Sequence, residues 1–249
     1  MSRGTTGGTG PGVGANFLLL VLLVSGLGFC IGAGFVAGSG AAFAFVMAGW
    51  ILGLCLHEFG HAFVAWRAGG EASGALGLDP SRFAHPVVTV VLPVVFTVLG
   101  GIGFPGGAMP LDPLPGERRR TAAVALAGPA MTLLCVVALA ALYHLASAES
   151  DTLRAVLAVS VLFQGMALTL SLVPLPGLDG YNVLRPWLPP SWQAVGDTGA
   201  RQAGFVLLAL FLVSGAFSRL LFRSSLRLTM MMGIDPGDVV AGYRLIRLW

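Results

Sequence analysis

Three ionisable residues in an apolar run set the chemistry open to this chain: His57, Glu58 and His61, in Leu54-Cys-Leu-His-Glu-Phe-Gly-His-Ala62. Imidazoles four residues apart leave one face of a helix and can reach one zinc ion, with Glu58 beside them as the base for a water at the metal. From Ala41 to Trp66 they are the only ionisable side chains apart from Cys55. Such groups are costly inside a span-length apolar helix, so they read as a metallohydrolase site rather than a satisfied core cluster.

Zinc catalysis needs a third protein ligand and an open fourth position. Asp179 is the leading candidate, because it directly follows an apolar span in Pro174-Leu-Pro-Gly-Leu-Asp-Gly180, where the prolines and glycines unwind the chain and present a carboxylate. Taken alone, Leu-Asp-Gly also fits a plain turn at a membrane surface. His85 and His144 are alternatives at the edges of spans, suited to interfacial or capping roles, while Asp79 and Asp112 sit in proline-containing loops and read as turn residues.

The elements that must position these residues are membrane helices. With 56% hydrophobic and 10% charged residues and a mean hydropathy of +0.86, the 249-residue chain has the composition of a polytopic membrane protein, which excludes a soluble zinc protease. All fourteen basic residues are arginines scattered over short connections, so no nucleic-acid surface is indicated. Cys30, Cys55 and Cys135 lie in apolar runs without metal spacing and read as core residues.

In chain order, residues 1–16 form a Gly/Thr-rich tail expected to be disordered, and Phe17 to Val36 is a first span, too long for a signal-peptide core. Ala41 to Trp66 is the second span, placing His57 roughly 14 Å from its Trp66 end at about 1.5 Å per residue. Arg67 and Arg82 make that end cytoplasmic by the positive-inside rule. Spans follow at Thr121 to Ala146, Leu153 to Val173 and Gln202 to Leu221. Parity decides the ambiguous run from Pro86 to Phe104: for Asp179 to return to the metal's end, an even number of crossings must intervene, and the spans from Thr121 to Val173 already supply two. The run should therefore enter and return on one side, as irregular backbone covered by protein or lining a cavity.

The expected fold is thus an all-α polytopic membrane protein with about five to six transmembrane helices and a re-entrant Gly-rich segment between the His57 helix and the next span. Residues 17–222 form its core, and 223–249 form a membrane-surface tail bearing Arg223, Arg227, Arg244 and Arg247. Five crossings from a cytoplasmic N-terminus put that tail outside, against the positive-inside bias; the catalytic geometry takes precedence.

His57-Glu58-Phe-Gly-His61, then Ala127-Gly-Pro129 in a later span, then Pro174 to Gly180, in that order and in apolar helices, resemble the site-2 protease family of intramembrane zinc metalloproteases. The similarity covers roughly Leu54 to Pro186 and is to the compact bacterial members without a PDZ or CBS domain. It implies zinc held by His57, His61 and Asp179, water activated by Glu58, and a Gly-rich stretch including Gly100 and Gly101 that receives a substrate strand by edge pairing. It also implies a single-span membrane substrate, such as an anti-sigma factor, a transcription-factor precursor or a signal-peptide remnant, cut in a bacterial cell membrane near the cytoplasmic face. One departure stands out: Ser171 occupies the position where the family usually has an asparagine that steadies substrate or transition state, and its hydroxyl offers one hydrogen bond in a different geometry.

Two other classes fit some of these features. A zinc-binding membrane scaffold or inactive relative would keep the histidines, and Ser171 points that way. A transporter also places His and Asp at membrane depth, but repeated halves and ligands spread along a pathway are absent from the sequence.

Overall fold

A computed structural model describes residues 11–70, 74–79, 117–200 and 202–247, the side chains of 203–205, 208 and 212 apart. The described residues form helices without strands. Four of the helices have the length and apolarity to cross a bilayer: α1 (Ala15–Gly32), α2 (Ser39–Arg67), α3 (Arg118–Leu145) and α4 (Asp151–Ser171). After them come α5 (Asp179–Leu184), α6 (Pro190–Ala200), α7 (Ala203–Val213), α8 (Gly215–Met231) and α9 (Pro236–Leu245). The run from Pro86 to Phe104, with Gly100 and Gly101, lies outside the described residues.

Burial orders the spans. The most apolar window of α4 is 78% buried and that of α1 only 6%, so α4 is the axis of the bundle and α1 its lipid-facing flank. Around Val156 to Phe163 of α4 pack Phe45, Val46 and Met47 of α2 and Val136 and Ala140 of α3. Exposed Leu18, Leu19, Leu22 and Phe29 on α1 would be a liability in water and are the expected surface toward lipid.

Helices α2, α3 and α4 alternate in direction, and this carries Asp179 back to the His57 end. The turn Ser147 to Ser150 joins α3 to α4, and the Ser150 hydroxyl donates to the Gly32 carbonyl at the end of α1 (3.1 Å), which fixes that end of the bundle. At the other end, backbone bonds from Gly12 to Leu76 and from Gly14 to Gly77, with Asn16 Nδ2 to Asp79 Oδ1, tie the start of α1 to the short turn after α2.

The continuous span read from Gln202 to Leu221 is instead two helices broken at Ser214. The Ser214 hydroxyl accepts from the Phe217 amide and caps α8, so the Ser-Gly dipeptide ends one helix and starts the next. Helix α8 packs along α4 with Leu221, Ser225 and Thr229 inward; the two hydroxyls donate to the carbonyls of Leu221 and Ser225 at 2.8 and 2.9 Å, so no polar group is stranded there. Helix α9 lies against the first half of α4 through Val239 and Ile246.

Candidate metal centre

His57 and His61 project from α2 toward α3 because the two helices cross on small residues. A Cβ at Gly60 would come within 2.6 Å of the Ala127 carbonyl, and one at Gly128 would overlap the His61 ring and lie 2.7 Å from His57 Nε2. Only glycine at both positions lets the backbones approach so closely and leaves room for two imidazoles.

Each ring is held through its other nitrogen. His61 Nδ1 donates to the Val124 carbonyl at 2.7 Å. His57 Nδ1 pairs with Thr132 Oγ1 at 2.8 Å, and the Thr132 hydroxyl in turn donates to the Gly128 carbonyl at 3.3 Å. With the Thr132 proton committed to Gly128, His57 must be the donor. Both rings thereby carry their proton on Nδ1 and turn a lone pair on Nε2 to a common point, which is how metal-bound histidines are oriented.

Asp179 closes the figure from α5. Its Oδ2 is 3.2 Å from His57 Nε2, its Oδ1 is 3.2 Å from His61 Nε2, and the two Nε2 atoms are 3.1 Å apart. Two imidazole lone pairs and a carboxylate facing one another this closely repel unless a cation lies between them. A tetrahedral zinc with bonds of about 2.0–2.1 Å sets its ligand atoms roughly 3.3 Å apart, close to the observed triangle. The donor set fits zinc, and among the described residues these three side chains form the one group of three or more metal-ligating residues placed to share an ion.

Glu58 follows His57 on the same helix and is buried beside the triangle without belonging to it. Ser171, half-buried at the end of α4, donates its hydroxyl back to the Leu168 carbonyl at 3.0 Å. Of the alternative ligands, His144 lies at the opposite end of the bundle, where it donates to the Met232 carbonyl at 2.8 Å and caps α8. Asp79 is bonded to Asn16, while His85 and Asp112, like Gly100 and Gly101, lie outside the described residues.

Comparison with known proteins agrees with the triangle. Over 214 residues, 83% of this chain and 81% of the relative, the sequence is 41% identical to "Putative zinc metalloprotease Rip2" of Mycolicibacterium smegmatis. The protein of the same name from Mycobacterium tuberculosis H37Rv is 39% identical over the same shares of both chains. The chain belongs to the site-2 protease family. "Putative zinc metalloprotease YwhC" of Bacillus subtilis is 27% identical over 66% of this chain and 78% of its own length. No family model and no solved structure matches. This site-2 protease is a membrane zinc metalloprotease, and zinc is its cofactor.

Two residues of this site-2 protease escape a reading of its sequence. Thr132 supports a ring 75 positions earlier in the chain, and its one signal is its place four residues after Gly128, on the same face of α3. Asn182, one turn beyond Asp179, is 9% exposed, and its Nδ2 is the single buried side-chain nitrogen or oxygen without a hydrogen-bond partner among the described residues.

Proposed function

We propose that this site-2 protease hydrolyses peptide bonds within the transmembrane segments of single-span membrane proteins, with His57, His61 and Asp179 as zinc ligands and Glu58 as general base. The observation that carries the proposal is the triangle of ligand atoms 3.1–3.2 Å apart, assembled from α2 and α5 inside an apolar bundle. His57 stands ten residues before the Arg67 end of α2, roughly 15 Å along the axis, a depth that supports chemistry within the thickness of a bilayer.

Zinc bound at these side chains supplies the Lewis acidity that polarises a carbonyl and lowers the pKa of water. Glu58 takes the proton of the attacking water and returns it to the leaving amine. Thr132 and the Val124 carbonyl hold the two imidazoles in the tautomer and orientation that ligation needs. A substrate helix hides its carbonyls in its own hydrogen bonds, so it must unwind to reach Glu58, and helix-breaking residues near the cut ease this. Extended in this way, it can pair with the Gly-rich stretch holding Gly100 and Gly101.

Anti-sigma factors, transcription-factor precursors and signal-peptide remnants are the substrate types proposed, in a bacterial cell membrane. Arg67 and the run Arg118 to Arg120 gather at the metal's end of the bundle, which supports a site nearer the cytoplasm.

The test uses detergent-purified wild type and Glu58→Gln with a panel of single-span substrates, together with zinc counting. Wild type should cleave and Glu58→Gln should not, with one zinc retained in each. Equal cleavage by both would remove Glu58 from the mechanism.

A further inference from the structure

We propose that the Asn182 carboxamide is a substrate-binding group of this site, donating from Nδ2 to a backbone carbonyl oxygen of the peptide being cut. The inference rests on the protease reading above and adds to it a residue on which neither the motif nor the metal geometry bears.

An amide N–H withdrawn from water without a partner costs about 1–3 kcal/mol, and buried polar groups are almost always satisfied. Asn182 Nδ2 is the exception, and its place in the fold is specific. It lies on α5 three residues after Asp179, so the two side chains leave neighbouring positions on the helix surface. Side chains on a helix lean toward its N-terminus, which inclines the Asn182 amide toward the turn that carries the Asp179 carboxylate.

The other faces of α5 are already taken. A Cβ at Gly180 would meet the Leu172 and Val173 carbonyls, so that face is closed by the end of α4. Tyr181 turns to α6, where its hydroxyl donates to the Gln193 carbonyl at 3.4 Å. Helix α5 also packs on α3, the helix that supports both histidine rings. An unsatisfied donor between the Tyr181 and Asp179 faces is what a site for an extended peptide requires, since such a peptide exposes backbone carbonyls with no partners of their own. The Ser171 hydroxyl, by contrast, already donates to the Leu168 carbonyl at 3.0 Å.

The experiment compares full-length wild type, Asn182→Asp and Asn182→Leu for zinc content, melting temperature, and kcat and KM on one single-span substrate. Asn182→Asp keeps the shape and loses the donor; Asn182→Leu removes a group that is costly to bury. The expected result is one zinc per chain throughout and a fall in kcat/KM of roughly 10- to 1,000-fold in both variants. Asn182→Leu should also melt no lower than wild type, the signature of a residue kept for function at the expense of stability. Wild-type turnover in both variants would overturn the proposal. So would activity lost only together with zinc or melting temperature, which would make Asn182 structural. Neither of these results touches the protease reading, whose own failure is a wild type that does not cleave.

Discussion

The two ends of the bundle handle polar groups in opposite ways. At the end away from the histidines, Tyr143 donates to Asp238 Oδ2 at 2.5 Å and accepts from Arg154 at 2.6 Å and from the Asp235 amide at 3.3 Å. The Arg154 guanidinium also covers the Tyr143 ring, 4.3 Å from its centre, and reaches Asp238 at 3.3 Å. Donors match acceptors and the charges cancel, so the cluster is complete and fastens α9 to α3 and α4. At the histidine end two lone pairs and a carboxylate converge without a proton to share, and an amide nearby has no partner. Each cluster sets an aspartate against nitrogen-bearing side chains. What separates a fastener from a reactive site is whether the protein's own atoms complete the hydrogen bonding.

The largest effect that would sharpen this contrast comes from removing zinc. Chelation should abolish proteolysis and leave the far end folded, seen as lost turnover with unchanged helical circular dichroism; global unfolding would mean that the metal is a structural fastener too. Gly128→Ala comes next, because its methyl group enters the space of the His61 and His57 rings. Zinc content and activity should both be lost, and a variant that keeps its zinc would show that the rings have other room.

Thr132→Val leaves the His57 Nδ1 proton without its acceptor. A fall of roughly 10- to 100-fold in zinc affinity is expected, read by competition with a chelator, and Thr132→Ser should restore it. Tyr143→Phe probes the opposite end: stability should drop by about 1–2 kcal/mol in denaturant titration with zinc affinity untouched. If zinc affinity fell as well, the two ends would not be independent.

The smallest effect belongs to the surface pair of Arg185 and Asp197, whose bidentate contact holds the Asp197 carboxyl below its usual range. Because the folded value is depressed, its stabilisation is present above an aspartate's ordinary pKa of about 3.9 and disappears as pH falls below that value. Half-exposed, the pair contributes roughly 0.2–1 kcal/mol, so Asp197→Asn should flatten the acid limb of the stability curve only slightly.

Legibility in the sequence followed the range of the interactions. His57 and His61 were readable because four-residue spacing is local and their apolar surroundings make chance placement costly. Asp179 was readable from its proline- and glycine-rich setting directly after an apolar span, and the alternation of α2, α3 and α4 returns it to the histidine end. Thr132 was not readable, because a threonine in an apolar span acquires meaning only when another helix brings a ring to it. Asn182 and the cluster of Tyr143, Arg154 and Asp238 were missed for the same reason, since each depends on packing between distant segments. The break at Ser214 was missed although Ser-Gly is a recognised breaker, because the apolar residues on both sides outweighed it.

X-ray absorption at the zinc edge tests the central claim most directly, on full-length protein with Asp179→Ala in parallel. The expected spectrum is one zinc per chain with only nitrogen and oxygen neighbours at about 2.0–2.2 Å, two of them imidazole nitrogens, and no tightly held zinc in the Asp179→Ala variant. A sulfur neighbour at about 2.3 Å, or an unchanged spectrum without the Asp179 carboxylate, would contradict the triangle of His57, His61 and Asp179 as the metal site.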